Sequence, residues 1–426
     1  MTNSLPKKKQ NRFFASYISK LLKVDHPKKG VTTNTKQQLN SVCCYLAKSL
    51  SSDSKKMARI SDKKTISDAE ILAVICINFP SKIYLRIKQK FASACEKTAK
   101  SDEKSVSRQE KAGVIFPPSI TEKFLRDDSK MMITKKAPLA LSCALEGLCE
   151  EIFESAVSYS DLNKKIRLTI RDIELAVKNT AANDVFNKFN IKLVGGGYVP
   201  FIHPVLTVKK AQKRKKKPGD SNGNKPHRFK PGTVALRDIR KLQKVFNRVI
   251  LAKAPFEKVI RALVKNKGHN VKISKQVFLI LQYYLESYIV GILHQSNLAA
   301  VHAGRVKLLP EDIDFILALE DQSLPLSVNI EDVKETEEVA IDTKSITAPA
   351  LQRLARQGGV KTMSNECVDV IRNLILMKAG IICDAVIVVN NQGGTKTIMP
   401  SDIYNALEYL GIRLAKAEKF GESNAN

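Results

Sequence analysis

The sequence predicts an all-α protein made of four tandem copies of one short–long–short helical unit, clasped as two pairs. Three observations predict it. Four stretches, near 36–60, 137–162, 274–303 and 366–391, carry apolar residues at helical spacing. Behind each stands one signature: a basic residue, a few β-favouring residues, then an acid–Ile pair. Two segments of opposite charge interrupt the composition. Residues 207–230 hold ten Lys or Arg against one acid, and residues 320–346 hold eight acids against two Lys. Both read as linkers between helical blocks.

The long helices come first. Leu141, Leu145, Leu148, Ile152, Ala156 and Tyr159 recur every three or four residues in the second. In the third, Val277, Leu281, Tyr284, Tyr288, Ile292, Gln295, Leu298 and His302 do the same over seven turns. The four signatures are Lys64-Thr65-Ile66 before Glu70-Ile71, Arg167-Leu168-Thr169 before Asp172-Ile173, Arg305-Val306 before Asp312-Ile313, and Lys396-Thr397-Ile398 before Asp402-Ile403. An acid in the first turn of the next helix suits the macrodipole, and the β-favouring residues suit a short paired segment. Such a unit cannot bury a long helix alone, so two units clasp. Their loops then meet at the ends of each pair, where basic residues and helix N-termini form an edge built for phosphates.

Composition points the same way. The 426 residues allow roughly three or four domains. A formal charge of +29 favours a polyanionic partner, while 43% hydrophobic content excludes a disordered basic tail. Aromatics are 6% and Trp is absent, which disfavours a single-strand binder that stacks on bases. No apolar run reaches the ~18–20 residues of a membrane span, so no membrane partner is expected. The eight cysteines form no CxxC pair and the six His are scattered, so neither a metal nor a catalytic thiol is expected. No GxSxG, P-loop or HExxH is present. No enzyme, cofactor or small-molecule substrate is predicted.

At the level of motifs, the four blocks resemble the four core histones in the order H-two-B, H-two-A, H-three, H-four. The first resembles H-two-B through His26-Pro27-Lys28-Lys29-Gly30, Lys64-Thr65-Ile66 and an extra helix after Phe79-Pro80. The second resembles H-two-A through Lys111-Ala112-Gly113, Phe116-Pro117, Ala137-Pro138, Asn163-Lys164-Lys165 and the tail Gly195-Gly196-Gly197-Tyr198-Val199-Pro200. The third is the most specific: Lys225 to Arg237 is close to the approach to the first helix of H-three, and His302-Ala303-Gly304-Arg305-Val306 to its second loop. The fourth resembles H-four through Ile346 to Ala350 and Leu354 to Lys361. The resemblance implies a short basic tail at 1–12, an H-two-B-like histone fold at 13–102 and an H-two-A-like fold with docking tail at 103–206. A basic linker follows at 207–230, then an H-three-like fold at 231–320, an acidic linker at 321–346, an H-four-like fold at 347–419 and a tail at 420–426. Fused histones of this kind are similar to those of large DNA viruses. That implies association with chromatin, in a viral factory and virion or a host nucleus.

The same resemblance implies four tandem histone folds in two handshake pseudo-dimers, double-stranded DNA wrapped around them, and two chains supplying the eight folds of a nucleosome core. The DNA-facing positions it implies are Thr32, Thr33, Lys63, Lys64 and Thr65 in the first block and Arg126, Lys135, Lys136, Lys165 and Arg167 in the second. In the third they are His227, Arg228, Arg237, Arg240, Lys253, Lys258, Lys272, Arg305 and Lys307, with Thr233 as N-cap of the helix that carries Arg237 and Arg240. In the fourth they are Arg353, Arg356, Lys361, Lys396 and Thr397. Self-association with a second copy is implied for His302, Arg305, Asp312, Phe315 and Leu319. A residual acidic patch is implied for Glu146, Glu151 and Glu154, with Lys82 and Lys90 where further acids would stand.

Several positions depart from the pattern. Ala252, Lys272 and Thr362 stand where arginines would enter the minor groove, and Met131-Met132-Ile133 fills a loop that is usually basic. Lysine, Thr or Ala there should hold DNA less tightly, because planar, weakly hydrated Arg suits the narrow groove. Asn391, Gln392 and Asn405 replace residues of the bundle expected between the first and fourth blocks. A histone-fold scaffold in a transcription or signalling assembly is the alternative. The +29 charge and four basic edges favour DNA packaging.

Overall fold

The computed structural model describes residues 13–100, 107–126, 131–197, 200–207, 232–245, 248–266, 271–319, 343–394 and 396–416. It is all-α, and every strand among the described residues is two residues long. The chain divides into two compact units. One holds the described residues up to Gly196 together with those from Gly411, and the other runs from Gly197 to Leu410.

The first unit opens with α1 (Ala15–Asp25), β1 (Gly30–Val31), the long α2 (Thr33–Ile60), β2 (Thr65–Ile66) and α3 (Asp68–Asn78). Phe79 is extended, as the residue before a proline must be, so α3 stops there and α4 (Ser81–Lys100) starts afresh after Pro80. Next come α5 (Arg108–Ala112), α6 (Pro118–Arg126), β3 (Met132–Ile133), the long α7 (Ala137–Leu162), β4 (Arg167–Leu168), α8 (Ile170–Asn179), α9 (Ala182–Lys188) and β5 (Ile191–Lys192). Leu141, Leu145, Leu148, Ile152 and Ala156 of α7 are all buried, as their spacing predicts. Gly147 lets α4 approach closely: a Cβ there would lie 2.8 Å from Cγ1 of Ile87. The pair is reciprocal. β1 runs parallel to β4, and β2 parallel to β3, so each half's loop before the long helix meets the other half's loop after it.

Two further contacts close this unit. The Gln38 side chain donates to Val194 O (2.6 Å) and accepts from Val194 N (2.8 Å), and Arg171 donates to Gly196 O (2.9 Å). β5 pairs in parallel with Arg413–Leu414, the last part of the described chain.

The second unit repeats the plan with α10 (Thr233–Lys244), α11 (Lys253–Asn266), β6 (Lys272–Ile273), α12 (Lys275–His302), β7 (Lys307–Leu308) and α13 (Pro310–Leu319). Its other half is α14 (Ala348–Gln357), β8 (Thr362–Met363), α15 (Glu366–Gln392), β9 (Thr397–Ile398) and α16 (Pro400–Tyr409). β6 is parallel to β9, and β7 to β8.

Two expectations need correction. Thr233 is not an N-cap. It is the first residue of α10, and the cap is Gly232, whose φ of 79° a side chain would resist. Nor are the long helices short of membrane-spanning length and hydropathy: α12 and α15 both reach it. Their apolar windows are 67% and 50% buried inside the protein, as core helices of a clasped pair should be.

Candidate nucleic-acid interface

Each unit presents two edges of one construction. A two-residue parallel pair forms the rim, and alternation sends one residue of each strand out and the next in. Val31, Leu168, Ile66, Leu308 and Ile398 point inward and are buried. The outward register pairs are Gly30 with Arg167, Thr65 with Met132, Lys272 with Thr397, and Lys307 with Thr362. Backbone bonds fix the geometry: Thr32 N–H donates to Leu168 O (3.1 Å), Thr134 to Ile66 (3.0 Å), Ser274 to Ile398 (3.2 Å) and Ser364 to Leu308 (3.0 Å).

Two helices start at every edge, and they are electrostatically unlike. The helix after the second loop is closed by its own acid. Glu70 accepts from Ser67 N–H, Asp172 from Thr169, Asp312 from Leu309 and Asp402 from Met399. Burial pushes Glu70 up, but bonds from Lys63 and Ser67 outweigh it and hold the carboxyl at about 2. The long helix is different. At Thr32, Lys136, Ser274 and Asn365 no side chain caps α2, α7, α12 or α15. Its first N–H groups therefore keep their partial positive charge toward the edge. Of the four, α15 alone has acids in its first turn, Glu366 and Asp369.

The implied DNA-facing residues differ in placement. Thr33, Lys64, Thr65, Lys135, Lys136, Arg167, Lys272, Lys307 and Lys396 stand exposed at or beside the four edges. Thr32, Lys165 and Thr397 are half-buried there. Arg237, Arg240, Lys253, Lys258 and Arg353 are exposed on shorter helices. Others carry an internal partner. Lys63 pairs with Glu70 (2.5 Å), Arg126 with Glu122 (2.6 Å), Arg356 with Asp238 (2.5 Å), and Lys361 donates to Leu206 O (3.2 Å). His227 and Arg228 lie outside the described residues. Sequence reading passed over Lys241 and Lys244, which continue the exposed stripe of Arg237 and Arg240 along α10 at i+3, i+4 and i+7 spacing. Lys275, exposed at the start of α12, was also missed. Its signal was present, since it lies two residues after the strand that carries Lys272.

The expected acidic patch does not stand open. Glu146 and Glu151 are buried, and a ladder of cations from α4 covers them. Lys90 sits 2.6 Å from Glu146 and also bonds Glu150, Lys82 lies 2.8 Å from Glu151, and Arg86 bridges Glu151 (3.3 Å) and Glu154 (2.9 Å). Glu146 further accepts from the backbone N–H groups of Ile115 (2.6 Å) and Phe116 (2.5 Å). Glu286 performs the same service in the other unit, accepting from Ile250 (2.7 Å) and Leu251 (2.9 Å).

The family model described as the core histone H-two-A/H-two-B/H-three/H-four domain matches residues 96–179 and 231–319. Both stretches are similar to the core histone domain. Each is clasped, in its own unit, by a neighbour joined through the same reciprocal strand pairs, so the fold is a tandem of histone folds. The crystal structure of the histone from Methanopyrus kandleri is also similar, at 16% identity over 37% of this chain and 94% of that chain, with a TM-score of 0.28.

The self-association residues divide in the same way. Phe315 is 56% and Leu319 67% exposed, and Leu298 and His302 toward the end of α12 are exposed too. Asp312 is only 5% exposed. It receives both guanidinium nitrogens of Arg305, at 2.9 and 2.7 Å, together with Leu309 N–H. Its part is to hold the second loop, so the available contact surface is the apolar one.

Proposed function

We propose that this chain is a single-chain core histone that packages double-stranded DNA, two copies replacing an octamer. The observation that carries the reading is the repeated edge: two in each unit, with exposed Lys, Arg or Thr above an apolar rim and an uncapped long-helix N-terminus behind. Phosphates spaced along a duplex fit such a series, and nothing in it reads bases. The +29 charge supports a polyanion as the partner. Exposed Leu298, Phe315 and Leu319 support a second copy, since a two-fold contact needs only one such self-complementary face.

The four blocks take the boundaries given above, with the 207–230 and 321–346 segments as linkers. The DNA-facing and self-association residues are those named, with Lys241, Lys244 and Lys275 added. Chromatin is the proposed location, and a viral factory and virion follow if the resemblance to fused viral histones reflects origin. The test removes the outer cations together: Lys64, Lys135, Arg167, Lys272, Lys307 and Lys396 to Gln. All six side chains are exposed, so the fold should persist by circular dichroism while duplex affinity drops by roughly 10³-fold or more. A folded variant with unchanged affinity would defeat the reading.

A further inference from the structure

Cys43 on α2 and Cys149 on α7 face one another across the first unit, their Sγ atoms 3.8 Å apart. They are 2% and 3% exposed. The two helices come from different halves of the clasp, so this thiol pair sits at the seam that holds the handshake together. We propose that Cys43 and Cys149 form a redox modification site, at which a low-molecular-weight disulfide converts the two thiols to a cystine that pins α2 to α7.

The chemistry balances without a further reactant. One thiolate of the pair attacks the disulfide RSSR, forming a mixed disulfide and releasing RS⁻. The second thiolate attacks the protein-bound sulfur and expels the other RS⁻. The two protons of the protein thiols finish on the released thiolates. The protein loses two electrons, and RSSR is reduced to two RSH.

Geometry makes the second step intramolecular and the first one slow. A disulfide needs the sulfurs at about 2.05 Å, and the 3.8 Å gap lies within reach of side-chain rotation on two facing helices. Contact with Cys149 and burial both push the Cys43 thiol up, so little thiolate exists while the seam is shut. The reagent gains access when α2 and α7 part, and the cystine then fixes the closed arrangement by joining positions 106 residues apart in sequence. Neighbouring thiols differ in placement: Cys76 is exposed, and Cys44 and Cys95 are half-buried.

The test uses the full chain with Cys44→Ser, so that the peptide bearing Cys43 carries one thiol. Native protein is incubated with 2-hydroxyethyl disulfide, quenched with N-ethylmaleimide, digested without reduction and mapped by mass spectrometry. The expected product is a 43–149 linked peptide, with a Tm raised by about 5 °C that dithiothreitol reverses. Adding Cys149→Ser should abolish both the link and the Tm rise, and Cys43→Ser, which nearly keeps the volume, should do the same. Failure of the native chain to form the link under conditions where the urea-unfolded chain forms disulfides freely would overturn the proposal. So would a dominant link to any other cysteine, or a linked chain no more stable than the reduced one.

Discussion

Replacing Phe315 and Leu319 with Ala should dissociate the two-chain particle and leave each chain folded. The two side chains are 56% and 67% exposed, so neither supports its own core. Covering what remains of each gains about 1.5 kcal/mol, taking full burial of Phe or Leu as roughly 1.5–3 kcal/mol. Two-fold symmetry doubles the pair, giving four side chains and about 6 kcal/mol. That is a loss of about 10⁴ in the dimerisation constant. Sedimentation equilibrium in high salt without DNA reads it directly, as a shift from two chains to one at micromolar protein. Circular dichroism should still show a folded chain, and any fall in thermal midpoint should be no larger than the lost dimerisation accounts for. Asp312 is deliberately left intact, because removing it would strand Arg305 and the Leu309 N–H and confuse loop collapse with dissociation. A dimer of undiminished affinity, or equal weakening from Ile60→Ala with Ile77→Ala in the first block, would refute the assignment of this surface.

Three more expectations follow from the geometry. DNA affinity should fall by roughly 10³–10⁵ between 50 and 200 mM salt and differ little between unrelated duplexes; titrations at several salt concentrations check it, and a sequence preference above roughly 10³-fold would contradict it. Burial pushes Glu286 up to about 7 from an ordinary 4.5, against three N–H donors. The folded second unit therefore holds a proton that the unfolded chain has released, so its stability is full below about 4.5 and declines by about 3 kcal/mol as pH rises through 7; urea midpoints across that range should show the slope, and Glu286→Gln should remove it. Lys90→Ala should destabilise the first unit by about 3 kcal/mol, since it leaves Glu146 buried without its cation, whereas Lys82→Ala, removing a side chain 69% exposed, should cost under about 1 kcal/mol; equal urea midpoints for the two variants would show that the ladder carries no such difference.

Much of this was legible in the sequence because it is periodic. The spacing of Leu141, Leu145 and Leu148 marks a buried helix face, and the acid before each Ile marks a helix start. The self-capping role of those acids is local too, three residues from the N–H groups they receive. What sequence could not supply is pairing at a distance. Lys82 and Glu151 are 69 residues apart, and only the packing of α4 on α7 over Gly147 brings them together, so an acidic face became a ladder of paired charges. Glu146 and Glu286 left a faint signal, a lone carboxylate inside an apolar run. Their partners, backbone N–H groups ahead of a shorter helix, have no sequence signature. The end of α12 shows the reverse: Gln295, Leu298 and His302 continue the apolar spacing but are exposed in the single chain. Periodicity predicts a face, not which molecule covers it.

The most direct test of the central claim is nuclease digestion of the full chain reconstituted on a long duplex, with the mass of the protected particle measured alongside. The account predicts one discrete protected length, held by two chains, and a shorter length held by one chain when Phe315 and Leu319 are replaced. A continuous smear of fragments, or a discrete fragment carrying a single unaltered chain, would contradict it.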